Sequence, residues 1–258
     1  MSPIHFLCLH LREFEDCRSK TVFPSPNERE EYAKKIAECF KPCAQWILAG
    51  HFVVKNKVGG KISVREIFPT VIELYYHEEG NGKFKDPIMY HTNDRKRYEF
   101  YKDKYKEYKD RPGRKSYFDK RGITELPYYP LGYLNPHPSG IDVTFENAEK
   151  QYRASFLIRE YEISFDGGKR IPIPNSTDLY DDMLLNGIST DENNWIEWVD
   201  GDAPVTLADP TPRKNVSAYV KYNDSPELWK KVEAEVINPK KPVFKNCTFN
   251  WQFKAKKD

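Results

Sequence analysis

The sequence predicts an α+β fold, built as a single domain around a mostly antiparallel β-sheet. Three observations lead to this prediction. The 258 residues are enough to bury one large hydrophobic core. Helix and strand signals follow one another in mixed order, with a tight turn between the first two strand signals. No internal repeat and no linker composition divides the chain, so residues 1–258 are assigned to one domain.

The first half of the chain predicts one helix followed by a β-hairpin and a further strand. Ser25, Pro26 and Glu28 form a helix start with a capping box, and Pro42 is expected to kink or split the helix that follows. Residues 52–58 and 61–68 flank a Gly-Gly turn, which is typical of a hairpin. Pro69 should interrupt this hairpin, and residues 71–76 resume as a strand.

The second half predicts further strands and helices. Residues 77–85 are expected to form a loop, and residues 126–138, rich in Tyr, Pro and Asn, an irregular and exposed connection. The predicted strands are 141–145, 153–165, 194–200 and 218–222, and the predicted helices are 95–109, 177–185 and 225–236.

Composition excludes some classes of protein. No apolar run approaches the roughly 20 residues that span a bilayer, and acidic residues directly follow the short apolar N-terminus, so we expect neither a membrane span nor a secretory signal. The five cysteines are odd in number and irregularly spaced, which favours free thiols in the cytoplasm. No metal-ligand cluster is evident, and we expect no cofactor.

Positive charge is concentrated in residues 95–121. This stretch holds twelve Lys or Arg and five Asp or Glu, a net charge of +7, whereas the whole chain carries +2. It is interpreted either as a basic helical insertion that binds a polyanion or as a solvated, salt-bridged helix.

The sequence Glu73-Leu74-Tyr75 is the strongest candidate for a functional motif. It lies in a segment that alternates like a strand, so Glu73 and Tyr75 should share one face of the sheet. A carboxylate beside an aromatic ring can hold a planar ligand by stacking and activate a water molecule next to it.

Several segments, taken in chain order, resemble the mammalian-type alkyladenine (3-methyladenine) DNA glycosylase family. Residues 38–50 are similar to the opening helix of that family, and Glu73 with Tyr75 to its Glu-x-Tyr strand. Residues 86–94 resemble its Asp-to-His segment, and residues 153–162 its strand with Leu-Ile-Arg. Residues 178–188 and 213–229 are similar to its later helix and its closing strand and turn.

The resemblance implies a curved antiparallel sheet with flanking helices and a role for each matched residue. Glu73 would be the general base that activates water, with Arg159 close to its carboxylate. Tyr75 and His91 would sandwich a flipped base, and Tyr128 or Tyr129 would form another wall. Asp142 stands where the family usually has an asparagine that discriminates against the exocyclic amine of guanine. The expected DNA contacts are the wedge residue Tyr133 and the basic residues Arg95, Lys96, Arg97, Arg114 and Lys115.

The expected activity is that of a monofunctional DNA glycosylase acting on an alkylated or deaminated purine in duplex DNA, as a monomer. The glycosidic bond is hidden in a duplex, so the nucleotide must be extruded before hydrolysis. Two alternatives stay open. The protein could bind nucleic acid or nucleotides on the same fold without catalysis, the Glu73–Arg159 pair then being structural. Alternatively, the basic stretch could be a protein-interaction surface.

Overall fold

The structure is a computed structural model that describes residues 5–24, 28–58, 60–80, 82–84, 86, 89, 127–137, 140–174, 179, 194–213 and 249–256. Its two helices are α1 (His5–Lys20) and α2 (Arg29–Ile47). Its eight strands are β1 (His51–Val58), β2 (Lys61–Glu78), β3 (Tyr133–His137), β4 (Gly140–Thr144), β5 (Tyr152–Phe165), β6 (Ile171–Ile173), β7 (Asn194–Val199) and β8 (Gln252–Lys254). This arrangement agrees with the predicted α+β class and antiparallel sheet.

The strands form one antiparallel sheet in the order β3-β4-β5-β2-β1-β7. The short strand β6 adds to one end of β5, and β8 adds to β2 beyond the point where β1 stops pairing. The long central strands β2 and β5 pair over almost their whole length. They therefore form the centre of the sheet, and the other strands pair on either side of them.

One face of the sheet packs against the two helices. Ile72, Leu74 and Tyr76 of β2 alternate onto this face and are buried, as is Phe156 of β5. From the helices, Phe14 lies 4.2 Å from Phe40 between ring centroids, and Phe40 lies 5.0 Å from Phe156. These aromatic contacts form the centre of the hydrophobic core.

The sheet curls around α1. Cys8 donates to the carbonyl of Leu131, just before edge strand β3, at 3.2 Å, and His10 hydrogen-bonds Asp200, just after the opposite edge strand β7, at 3.0 Å. Cys8 and His10 lie within one helical turn, about 3 Å apart along the axis. Because both edges of the sheet reach the same turn, the sheet must be strongly curved, with the helices on its inner side.

Neither Pro42 nor Pro69 ends the element in which it lies: α2 is not split, and β2 continues beyond the end of its pairing with β1 at Ile67. Helix α2 runs without a break through Pro42, because the buried stripe of α2 continues on both sides of it and outweighs one missing hydrogen bond. Strand β2 runs through Pro69, which pairs with Tyr161 and lies where the register shifts. Pro69 falls between the stretches of β2 that pair with β1 and with β8, so its missing N–H is not needed there.

Other differences concern segment ends and short elements. Helix α2 begins at Arg29, and Glu28 stands at its N-cap position. Ser25 and Pro26 of the predicted capping box lie outside the described residues. The connection predicted over 126–138 is partly strand β3, and Tyr129, Leu134 and Asn135 in it are buried. Helix α1 and strands β6 and β8 were not predicted. The hairpin β1–β2 and strands β4, β5 and β7 were.

The predictions for residues 95–121, 218–222 and 225–236 lie outside the described residues, as does most of 177–185. Within the described part of the chain, no helix has the length and apolar character needed to cross a bilayer.

Candidate functional site

Polar side chains line the face of the sheet that points away from the helices. In antiparallel strands, residues directly opposite one another point to the same side. Glu73 of β2 is opposite Leu157 of β5, which is opposite Asp142 of β4. Asp142 is in turn opposite Asn135 of β3. We call Glu73, Leu157, Asp142 and Asn135 the first row.

A second row lies one pleat further along the same face. It consists of Tyr75, Ser155, Thr144 and Tyr133, again from β2, β5, β4 and β3. The alternation of β2 thus places Glu73 and Tyr75 on one face, as the sequence predicts. The two rows hold four of the residues that the resemblance singles out, namely Glu73, Tyr75, Asp142 and Tyr133.

Glu73, Arg159 and Tyr75 make direct contact. The Nε atom of Arg159 donates to Oε2 of Glu73 at 2.6 Å, and its Nη2 atom donates to the Tyr75 hydroxyl at 3.0 Å. The Tyr75 hydroxyl donates to the same Oε2 atom at 3.0 Å. Oε1 of Glu73 accepts from the side-chain amide of Gln252 in β8 at 2.8 Å. Both carboxylate oxygens are therefore held by fixed donors.

Burial makes these contacts strong. The Glu73 side chain is 0% exposed and that of Arg159 is 12% exposed. Burial alone lowers the pKa of Arg159, but the neighbouring Tyr75 and Glu73 oxygens outweigh it and raise the pKa above its ordinary value. The guanidinium is therefore permanently charged and compensates the charge of the buried carboxylate.

The Tyr75 ring is fixed from one side by Arg213. The guanidinium lies 4.7 Å from the centre of this ring and 5.0 Å from that of Trp251. Arg213 also pairs with Asp86 at 2.7 Å and donates to the carbonyl of Leu74 at 3.0 Å. One face of the Tyr75 ring is thus covered by a cation.

A buried ion network fixes the start of the 127–133 segment. Arg153 donates to Glu79 at 2.6 Å, to Glu146 at 2.8 Å and to the carbonyl of Pro127 at 2.8 Å. Tyr128 stacks on this guanidinium at 4.1 Å and donates to Glu79 at 2.8 Å. Burial, together with the hydrogen bond to Glu79, raises the pKa of the Tyr128 hydroxyl. Tyr128 therefore belongs to the network that positions the segment.

Tyr129 and Tyr133 form a stacked pair at the β3 edge of the sheet. Their ring centroids are 4.9 Å apart and the planes differ by 3°. Tyr129 is 5% exposed, whereas Tyr133 is 40% exposed. The outer ring is therefore presented to solvent with a rigid aromatic support behind it.

Two further polar groups on this face are buried. Asn135 is 4% exposed and Ser155 is 0% exposed. Among the described residues, Oδ1 of Asn135 and the Ser155 hydroxyl have no hydrogen-bond partner. Asp142, between them in strand order, is 3% exposed.

The structure therefore brings Glu73, Tyr75 and Arg159 together and places Asp142 in the same row, two strands from Glu73. Tyr133 lies in the Tyr75 row, three strands or about 14 Å away. His91, Arg95, Lys96, Arg97, Arg114 and Lys115 lie outside the described residues. The predicted site residues did not include Gln252, Arg213, Asn135 and Ser155. Alternation along β5 would have placed Ser155 on the face of Arg159, but nothing local marks Gln252 or Arg213.

Among the described residues, no group of His, Cys, Asp and Glu side chains could hold a metal ion. Comparison with family models, with curated proteins and with solved structures finds no match to this chain.

Proposed function

We propose that the protein is a monofunctional DNA glycosylase that hydrolyses the N-glycosidic bond of a flipped, damaged purine, on a fold like that of the alkyladenine DNA glycosylases. The observation that carries this proposal is the Glu73 carboxylate, buried beside the Tyr75 ring and paired with Arg159. The Glu73 carboxylate would supply the negative charge that hydrolysis needs, and the Tyr75 ring would supply an aromatic surface against which the base stacks.

The chemistry needs an anion close to the sugar. Breaking the bond between the base and C1′ builds positive, oxocarbenium-like character on the sugar, which a carboxylate stabilises. The same carboxylate accepts the proton of the attacking water. Glu73 would fill both roles, since its donors Arg159, Tyr75 and Gln252 fix the orientation of the carboxylate before substrate arrives.

Base binding would use the Tyr75 ring. With Arg213 on one side of this ring, the extruded base would stack on the other. His91 is proposed to close the sandwich, and Tyr128 or Tyr129 to contribute another wall. No metal or cofactor takes part in this scheme.

DNA binding would use the end of β3 at which Tyr133 lies. Tyr133 is half-exposed and backed by Tyr129, as a side chain that fills the gap left in the duplex must be. The basic residues Arg95, Lys96, Arg97, Arg114 and Lys115 are proposed to contact the phosphates. Each such contact adds a salt-dependent contribution to affinity.

A second candidate is a nucleic-acid-binding protein without catalysis. It is favoured by one observation, the 0% exposure of the Glu73 side chain together with hydrogen bonds to both of its oxygens. A purely structural ion pair has these same properties. The two candidate functions differ in whether Glu73 takes part in hydrolysis of the N-glycosidic bond.

The test compares wild type with Glu73→Gln on labelled duplexes that carry 1,N6-ethenoadenine, hypoxanthine, 3-methyladenine or 7-methylguanine. Abasic sites are detected by alkaline cleavage and DNA binding by anisotropy. The proposal predicts release of at least one base by wild type, a loss of about 100-fold or more in the variant, and retained binding. The matched control is Gln45→Glu in helix α2, on the opposite side of the sheet. It replaces an amide by a carboxylate, which is the reverse of the exchange in Glu73→Gln.

Wild-type DNA binding without release of any base would move the assignment to the second candidate. Equal loss of binding and release in Glu73→Gln would mean that the pair is structural. Absence of DNA binding at several salt concentrations would exclude both candidates and favour a protein-interaction surface.

A further inference from the structure

Two cysteines, one from each helix, meet at a single hydroxyl group. Cys17 lies in the last turn of α1 and Cys39 in the middle of α2. The Sγ atom of Cys17 is 3.8 Å from Oγ1 of Thr21, and the Sγ atom of Cys39 is 3.5 Å from the same oxygen. The two cysteine side chains also interact with each other. Both sulfur atoms are therefore neighbours of one atom and of one another.

The Thr21 hydroxyl has another acceptor for its own hydrogen. It donates to the carbonyl of Cys17 at 2.7 Å, which leaves the lone pairs of its oxygen free to accept from the thiols. A disulfide bond would remove both thiol hydrogens, while Thr21 would keep its bond to that carbonyl. Joining the two sulfur atoms thus leaves no hydrogen-bond donor of this group without a partner.

Two other cysteines are held in a different way. Cys8 donates to the carbonyl of Leu131 at 3.2 Å, and Cys43 donates to the carbonyl of His10 at 3.1 Å. Each of these thiols therefore has a backbone partner, as is typical of cysteines that serve the packing of a core. They provide internal controls for the chemistry of Cys17 and Cys39.

We propose that Cys17 and Cys39 form a reversible disulfide bond, which links α1 to α2, when the protein meets hydrogen peroxide. In the first step the Cys17 sulfur attacks a peroxide oxygen, the O–O bond breaks, and Cys17 becomes a sulfenic acid as water leaves. In the second step the Cys39 sulfur attacks the Cys17 sulfur, and the hydroxyl group leaves with the Cys39 thiol hydrogen as a second water. Two thiols are oxidised, and one peroxide is reduced to two waters.

Burial decides which thiol reacts first. Cys17 is half-buried, whereas Cys39 is 1% exposed. Burial also raises the pKa of Cys39 to about 12, which keeps it a thiol at neutral pH. Oxidation by peroxide follows exposure and thiolate character, so Cys17 is the first to be oxidised. The second step joins two side chains that are already neighbours, and it therefore needs no access from solvent.

The bond acts as a redox-controlled link between the two helices. It closes residues 17–39 into a loop, which reduces the conformational freedom of the unfolded chain. The oxidised protein is therefore the more stable form. In a reducing compartment, thiol exchange removes the bond again, as with other transient disulfides that sense oxidants. This inference goes beyond the proposed function and does not depend on it.

The test treats the full chain with a molar excess of hydrogen peroxide, blocks the remaining thiols with iodoacetamide in denaturant, and digests the protein with chymotrypsin. Cleavage after Phe40 separates Cys39 from Cys43, so mass spectrometry distinguishes these two cysteines. We expect a pair of peptides joined through Cys17 and Cys39 that dithiothreitol separates. The melting temperature of the oxidised protein should rise by about 5 °C or more.

Cys17→Ser and Cys8→Ser are the matched variants, because both cysteines are half-buried residues of α1. Cys17→Ser should abolish the joined peptides and the rise in melting temperature, and Cys8→Ser should retain both. The first measurement uses the wild-type chain, so it decides the question even if a variant does not fold.

Wild-type protein in which iodoacetamide blocks both Cys17 and Cys39 after peroxide treatment would overturn this inference. So would a bond from Cys17 to Cys43, or oxidation of Cys17 to a sulfinic acid while Cys39 stays a thiol. A bond that forms without raising the melting temperature would refute the stabilising link. Base release is measured on the reduced protein, so failure of the proposed function and failure of this inference are seen separately.

Discussion

Replacing Arg159 by methionine tests the buried ion pair at the candidate site. Methionine keeps a long apolar side chain but removes the donors to Glu73 at 2.6 Å and to Tyr75 at 3.0 Å. The Glu73 carboxylate, 0% exposed, then loses its counter-charge. Breaking one partner of a buried pair typically costs about 3–5 kcal/mol. For a chain of this size, the same loss lowers the melting temperature by roughly 10 °C.

The measurement is urea unfolding at 25 °C followed by circular dichroism, with Lys34→Met as the matched control. Lys34 pairs with Glu30 at 3.2 Å, but both side chains are more than two-thirds exposed. Such an i,i+4 surface pair contributes about 0.5 kcal/mol or less to the free energy of unfolding. Arg159→Met should therefore be several times more destabilising than the control.

A double-mutant cycle identifies the source of the loss. Adding Glu73→Gln to Arg159→Met removes the uncompensated charge, so the double variant should be more stable than the sum of the single changes predicts, by about 2 kcal/mol. A cost of Arg159→Met within about 1 kcal/mol of the control would refute the reasoning. So would strict additivity in the cycle, because it would mean that the two side chains act independently.

The remaining predictions concern packing and thiol chemistry. Gly50→Ala should lower the free energy of unfolding by about 1–3 kcal/mol, since its new methyl group would lie 2.3 Å from the Trp198 ring. Gly60→Ala meets open space but has φ +82°, so denaturant titration should give a smaller loss of about 1 kcal/mol. Burial raises the pKa of Cys39 to about 12 and also raises that of Cys43. Both should thus stay thiols at pH 8 and resist iodoacetamide until the protein is unfolded, as read by mass spectrometry.

The sequence predicts the central strands well because their signals are local. The β1–β2 hairpin follows from two apolar segments around a Gly-Gly turn, and Gly60 adopts φ +82° there. Strand β5 follows from a long run of alternating and aromatic residues. The alternation also predicts that Glu73 and Tyr75 share a face. Each of these predictions needs only near neighbours in the chain.

Elements whose position depends on long-range pairing or burial were not predictable from local sequence. Pro69 stays in a strand because β1 stops before it and β8 starts after it, which local sequence does not show. Helix α1 did have a local signal, since Leu7, Leu11 and Phe14 recur at helical spacing and are all buried. The same apolar residues also fit the start of a secretory segment, and the two interpretations compete in the sequence.

The candidate site was predictable only in part, for the same reason. Arg159 was placed near Glu73 by the resemblance, and it lies at the register shift between β2 and β5, between Ile158, which pairs with Ile72, and Glu160, which pairs with Val71. Gln252 reaches Glu73 across 179 residues of sequence, and Arg213 reaches Leu74 across 139. No residue pattern near either one indicates such a contact, so the donors that complete the site emerge only from the fold.

The curling of the sheet around α1 also determines when the protein can fold during its synthesis. Helix α1 is synthesised before the other described elements, but Asp200, the hydrogen-bond partner of its His10, follows 190 residues later in the chain. At about 5–20 residues per second, a ribosome needs roughly 10–40 s to supply that partner. During this interval the apolar side of α1 has no closed sheet to pack against. Helix α2 can cover part of that side earlier, through the contact between Phe14 and Phe40, so only the closure of the sheet around α1 depends on the synthesis of β7.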